Sequence, residues 1–202
     1  MLTQLSTVKA RLAISDIDTT SDALLTNAIK AVGARFDREC NRTFARTENA
    51  TCEFEAASTE VAVSCYPIET VTKWECKASE SEGWLEQPAP PYLLRSACVI
   101  SLRSPLSPSP SSFGLARVTY TGGYVLPGAP DPQPASPTSQ PARLPDDLEQ
   151  AVVEQVAWWF QNRDRLGLAR VWEYHATYRQ FADLDLVSSV RAVLAKYRRW
   201  QT

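Results

Sequence analysis

The stretch SDALLTNAIKAVGARFDRECN, residues 21–41, decides how the chain is read. Leu25, Ile29, Val32, Phe36 and Cys40 recur at the spacing that lines one face of an α-helix, while Lys30, Asp37 and Arg38 fall on the wet side. Ser21 is placed to cap the first turn, and Asp22 lies near the positive end of the helix dipole. Asn41, a residue that tolerates the left-handed conformation, is the stop. A helix over 21–41 with one apolar stripe is expected, and the stripe needs a cover.

Upstream, Leu5, Val8 and Leu12 mark a short helix over 3–14. It is expected to stop at Ser15 and Asp16, whose side-chain oxygens compete for backbone hydrogen bonds, with a loop to Thr20. Downstream, between about 51 and 124, the apolar period falls towards two. Cys52-Phe54, Val61-Val63-Cys65, Val71-Lys73-Glu75, Val99–Leu102 and Ala116–Tyr120 read as antiparallel strands. A Ser/Pro run over 104–112 separates the last two as a loop, since proline cannot donate to a ladder. Residues 127–144 are proline-rich and poor in large apolar groups, and are expected to form an exposed excursion.

Helical spacing returns over 145–164, with Leu148, Val152, Val156 and Trp159 in one stripe and Asp146 and Glu149 at capping-box separation. Residues 166–182 fit no single period and read as a loop or arm. A last helix over 185–200 carries Val187, Val190, Leu194 and Tyr197 on one side. The expected fold is mainly α: a bundle of about four helices with an inserted antiparallel β-sheet region and long Pro-rich loops, forming one domain over 1–202.

Composition excludes more than it selects. A hydrophobic fraction of 44% with no apolar run near the roughly 20 residues that cross a bilayer gives no membrane segment. Met1-Leu2-Thr3-Gln4 lacks the start of a secretory signal, so folding in the cytoplasm is expected. A net charge of −2 gives no global pull towards nucleic acid. Cys40, Cys52, Cys65, Cys76 and Cys98 are odd in number, lack a C-x-x-C pair and mostly alternate with polar residues, which suits reduced, buried thiols.

No catalytic set stands out. His175 is the only histidine, which removes most triad, general-base and zinc arrangements; between Tyr174 and Ala176 it reads as a packed surface residue. Asp16, Asp18 and Asp22 lack the glycine and terminal glutamate of a calcium loop and read as helix-entry acids. Gly122-Gly123 is too short to cradle phosphate and reads as a tight turn. No cofactor or metal is expected.

Two features point outward instead. Trp158, Trp159 and Phe160 are consecutive, so on a helix they project in different directions; either one ring meets another subunit or loops of the same chain cover it. Lys196-Tyr197-Arg198-Arg199-Trp200 is a basic tail whose plain reading is a solvated helix end complementing the dipole.

Taken in order, several segments resemble the head-to-tail adaptor (connector, or head completion) proteins of long-tailed double-stranded DNA bacteriophages and gene transfer agents. These are Leu5-x-x-Val8-Lys9-x-x-Leu12, Asp22-x-Leu24-Leu25, Cys40-Asn41-Arg42-Thr43-Phe44 and Tyr66-Pro67-Ile68-Glu69-Thr70-Val71. Val118-Thr119-Tyr120-Thr121-Gly122-Gly123-Tyr124, Pro145-Asp146-Asp147-Leu148-x-x-Ala151 and Val190-x-x-Val193-Leu194-x-x-Tyr197-Arg198 complete the series. The Pro-rich excursion and the Ser/Pro loop depart from the pattern without breaking a core element. The resemblance implies a virion neck protein, made in the host cytoplasm, that forms a dodecameric ring below the portal. That ring joins the portal to the head-closure protein and tail while DNA passes as cargo, and no reaction is implied. Such proteins can be monomers until a portal templates them.

Under that role, Arg191, Lys196, Arg198, Arg199 and Trp200 are candidates for docking on the portal, and Trp158, Trp159 and Phe160 for the subunit interface. The nearest rival is a head-closure or tail-terminator component, and helix dominance in the core would favour the adaptor. From other classes, a DNA-binding module using the basic tail would show salt-dependent duplex binding, and an enzyme would need a furnished cleft.

Overall fold

The computed structural model describes residues 1–106, 114–130, 132, 141–163, 170–171, 179–180 and 185–199. In chain order the first elements are α1 (Leu5–Arg11), α2 (Asp22–Cys40), β1 (Thr47–Glu55), β2 (Glu60–Ala62), β3 (Ile68–Lys77) and β4 (Leu85–Gln87). Next come β5 (Tyr92–Arg95), β6 (Val99–Leu102), β7 (Leu115–Gly122), β8 (Tyr124–Val125) and β9 (Ala142–Arg143). The chain closes with α3 (Asp146–Gln161), β10 (Arg170–Val171), β11 (Arg179–Gln180) and α4 (Ser188–Ala195). The described residues divide into two compact units: Met1–Cys40 with Leu144–Thr202, and Asn41–Arg143.

The first unit is helical. Leu25, Ile29, Val32, Phe36 and Cys40 of α2 are all fully buried. Each large apolar side chain hidden in this way contributes about 1.5–3 kcal/mol. The Ser21 carbonyl accepts the first helical N–H, from Leu25 at 2.9 Å, and Asn41 follows the helix at φ 50°. Helix α3 touches α1, α2 and α4, and buries Leu148, Ala151, Val152, Val153, Gln155, Val156 and Ala157. Buried Lys9 of α1 reaches Asp22 at 2.7 Å and donates to the Asp16 carbonyl at 3.2 Å, tying the loop after α1 to the start of α2.

Two helix ends differ from expectation. Helix α1 closes at Arg11, ahead of Ser15: the Ile14 N–H bonds the Lys9 carbonyl at 3.0 Å and the Ala13 N–H that of Ala10 at 3.2 Å, with Ala13 at φ 57°. This paired closure satisfies the last carbonyls before any serine or aspartate is reached. At α3 the expected capping box does not form. Pro145 takes the N-cap position without a side-chain bond, Asp146 is already helical, and Glu149 instead accepts from the Thr3 hydroxyl at 2.9 Å. The acids Asp146, Asp147 and Glu149 still complement the helix dipole.

The second unit is all β. One antiparallel sheet has the order β1-β7-β3-β4, and the other β2-β6-β5. Val61, Ile100 and Leu102 from the smaller sheet, with Val63 just after β2, share one core with Ile68, Trp74, Val118 and Tyr120 from the larger. On β7 the alternation is plain: Ala116, Val118 and Tyr120 face inward, while Arg117 lies across from Glu75 of β3. Strands β8 and β9 form a short parallel pair, so Ala142 and Arg143 of the Pro-rich stretch are held against Tyr124 and Val125.

These elements correct the expectation of a mainly α bundle. Helices and strands each hold about 30% of the described residues, so the fold is mixed α/β. The strand region starts at Thr47 and includes β4 and β5, which the sequence does not announce: each has three or four residues without apolar alternation, close to Pro88, Pro90 and Pro91. The arm at 166–182 lies largely outside the described residues, apart from the backbone pairing of β10 with β11. His175 and residues 107–113 and 133–140 also lie outside them.

Candidate assembly site

The basic residues near the C-terminus do not share one helix. Helix α4 ends at Ala195, Lys196 is its C-cap, and Arg198 and Arg199 lie beyond it. Trp200 is outside the described residues. Placement of α4 starts from a buried amide: Gln155 of α3 accepts the Val187 N–H on Oε1 at 2.9 Å and donates from Nε2 to the Asp185 carbonyl at 3.4 Å. Gln155 thereby serves a backbone donor that no helix turn could reach. Leu186, Val190 and Leu194 then pack inward.

The candidate docking cations are engaged with nearby groups. Arg191 pairs with the Asp185 carboxylate, which also binds Arg35 at 2.9 Å. Lys196 stands 3.9 Å from Asp147, and the Tyr197 hydroxyl donates to the other oxygen of that carboxylate. Arg198 reaches the Glu39 carbonyl at 3.2 Å and its carboxylate at 3.5 Å, and the Arg199 N–H donates to the Cys40 carbonyl at 2.9 Å. The basic run thus fastens the chain end to α2 and α3. Arg191 and Arg198 still keep more than half of their side-chain surface exposed. They come together on the walls of a groove of about 410 Å³, whose other lining residues are Glu39, Asp185, Leu186, Leu194 and Ala195. Lys196 is not among those lining residues.

Trp158, Trp159 and Phe160 at the end of α3 are all half-buried. The guanidinium of Arg163 lies over the Phe160 ring at 4.6 Å, Asn162 caps the Trp158 carbonyl at 2.8 Å, and the Trp159 Nε1 is buried without an acceptor among the described residues. None of the three rings is a freely exposed apolar face.

Exposed apolar surface sits where periodicity gives no signal. The stripe of α2 is hidden completely, although Leu24 on the outer side of the same helix stays exposed. The surplus lies on Tyr92, Leu93 and Leu94 of the edge strand β5, on Leu85 of β4, on Leu115 of β7, and on Ile17 and Leu24. Three consecutive apolar residues on an edge strand cannot all face one core, and this was the available signal. Isolated exposed apolar residues are ordinary, whereas a run on an unpaired edge marks a contact surface.

Electrostatics in the β unit serve structure. Glu75 is nearly buried between Lys73 at 2.9 Å and Arg117 at 2.8 Å, with Trp84 stacked on the Arg117 guanidinium at 4.3 Å. The Lys73 hydrogen bond, then that of Arg117, holds the Glu75 carboxyl below its ordinary range. Arg46 pairs with the buried Glu69 at 2.8 Å. Arg42 is buried against the rings of Tyr66, Phe44 and Tyr124, with its centre 3.3 Å from that of Tyr66. All five cysteines are free thiols, Cys40 and Cys65 buried and the others half-buried.

No protein-family model matches the chain, and neither does any curated protein sequence. Among solved structures, a chain in the neck of an empty gene transfer agent (GTA) particle, computed with C6 symmetry, is similar over 98% of this chain and 90% of its own length. Its TM-score is 0.57 at 16% identity. A chain in the virion of a native GTA particle matches over the same shares with a TM-score of 0.54. The likeness extends through both units and shows that the fold is shared with these particle chains.

Proposed function

We propose that this chain is a structural protein of the neck of a phage-like particle, located at the portal vertex of the virion. The observation that carries this reading is the fold likeness to a neck chain over 98% of the sequence and 90% of that neighbour. Within the neck, the ordered sequence motifs favour the head-to-tail adaptor: a ring of twelve beneath the portal, in contact with head-closure or tail proteins, with DNA as passing cargo and no reaction performed. The exposed edge strand and the paired but accessible arginines suit a protein that works through contact surfaces. A head-closure or tail-terminator role is the neighbouring reading, and the near-equal helix and strand content removes helix dominance as a way to separate them.

Portal docking is assigned to the basic chain end, through Arg191 and Arg198 first, with Lys196, Arg199 and Trp200 as further candidates. Deleting the chain after Phe181 is a poor test, because it removes buried Leu186, Val190 and Leu194 from the helical core. Reversing both Arg191→Glu and Arg198→Glu is cleaner, since exposed ion pairs of this kind are worth about 0–1 kcal/mol each. The double variant is expected to keep its melting temperature within a few degrees while its affinity for immobilised portal falls at least tenfold. Unchanged affinity would remove the assignment.

A further inference from the structure

We infer that the basic chain end docks by exchange: carboxylates on an acidic surface of the portal take the place of Glu39 and Asp147, which occupy Arg198 and Lys196 while the chain is undocked. This rests on the docking reading above, and names the chemistry of the partner surface and the contacts that guard the chain end until it arrives. Arg191, Lys196 and Arg198 each face a carboxylate of their own chain, at Asp185, Asp147 and Glu39. A cation held in this way reaches a partner only when that carboxylate is displaced or shared.

The three carboxylates are not held alike. Asp185 is an anchor: one oxygen accepts from Arg35 at 2.9 Å and from the Leu186 N–H at 2.8 Å, and the other pairs with Arg191. Glu39 and Asp147 are looser. Arg198 stands 3.5 Å from the Glu39 carboxylate and Lys196 3.9 Å from that of Asp147, beyond the roughly 2.7–2.9 Å of a charge-assisted hydrogen bond. All four side chains are open to water, from 40% exposed at Glu39 to 70% at Lys196. Pairs of that length and exposure contribute little, so another carboxylate can replace the first at small cost. Glu39 stands apart on a second ground. It lies in the last turn of α2, where the helix dipole disfavours an anion. Arg198 is fastened there without it, through Nε on the Glu39 carbonyl at 3.2 Å and through the neighbouring Arg199 N–H on the Cys40 carbonyl at 2.9 Å. Backbone contacts place the guanidinium, and the Glu39 carboxylate only occupies it. These seats already suit carboxylates, which Asp and Glu side chains of the portal supply, while a net charge of −2 on this chain opposes long-range attraction to DNA.

The test measures binding of the full chain to immobilised cognate portal at fixed ionic strength. Glu39→Gln keeps the side-chain length and the backbone seat of Arg198 while removing the competing charge. Its affinity for portal is expected to rise about three- to tenfold, with a melting temperature within a few degrees of the unaltered chain, and adding Asp147→Asn is expected to raise the affinity further. On the unaltered chain, soluble polyglutamate is expected to inhibit docking and uncharged polyethylene glycol is not. Unchanged or weaker portal binding by a folded Glu39→Gln chain overturns the exchange, as does a gain in binding to duplex DNA without a gain in binding to portal. Should Glu39→Gln fail to fold, polyglutamate decides: docking that it does not inhibit overturns the acidic surface. In each of these cases the docking reading stands as long as reversal of Arg191 and Arg198 still weakens portal binding. No effect of that reversal overturns the docking reading and the exchange together.

Discussion

Single residues fix the junctions of the β unit. A Cβ on Gly122 would lie 2.4 Å from the Cys65 carbonyl oxygen, and one on Gly123, at φ 97°, 2.5 Å from that of Ala45. Backbone cannot yield as a flexible side chain does, so Gly122→Ala is expected to lower stability by about 1–3 kcal/mol, read from the urea midpoint. An unchanged midpoint would mean that the backbone at Cys65 and Pro67 shifts freely. Glu75 gives the unit an acid dependence. Its carboxyl is held low by Lys73 and then Arg117, so its stabilisation is complete above the ordinary glutamate value of about 4.3 and is lost as pH falls through the lower folded value. Glu75→Gln should therefore lose stability at pH 7 and show a shallower decline between pH 5 and 3. Parallel curves for the two proteins would contradict this.

At the scale of elements, Gln155 holds α4 to α3 through two backbone groups, one at Val187 and one at Asp185. Gln155→Leu leaves the part-buried Val187 N–H without its acceptor, which costs about 0.5–1.5 kcal/mol. Hydrogen exchange over 187–195 should accelerate ahead of exchange in α2, and uniform acceleration would show that α4 has no separate hold. The legibility of the elements follows from how local their causes are. The stripe Leu25–Cys40 and the stop at Asn41 stand in the sequence because helix periodicity and a left-handed residue act within a few positions. The strands Ala116–Tyr120 and Val99–Leu102 show through alternation. Strands β4 and β5 do not, because an edge strand is defined by its neighbours β3 and β6 and its own residues carry no period. The capping box expected at Asp146 does not form because Pro145, with its fixed φ, takes the N-cap position that Asp146 would need. The partners of the basic tail, Asp185, Asp147 and Glu39, are brought there by packing and could not be read from the run itself.

For the whole molecule, the account depends on where apolar surface remains after folding. The helical stripes are consumed internally, while Tyr92, Leu93 and Leu94 stay exposed on an unpaired edge and Ile17 on a loop tip. Covering such surface drives association at roughly 25 cal/mol per Å² before its costs. A double change Leu93→Lys and Leu94→Thr should leave the fold intact, since Tyr92 keeps its ring contact with Trp74 and the shared core of Trp74, Tyr120 and Ile100 is kept, and should reduce incorporation into particles several-fold. The most direct measurement is to mix the chain with its cognate portal at micromolar concentration and image the product by electron cryomicroscopy. A ring of this fold stacked coaxially on the portal is the predicted result; bare portals beside dispersed chain would contradict the account.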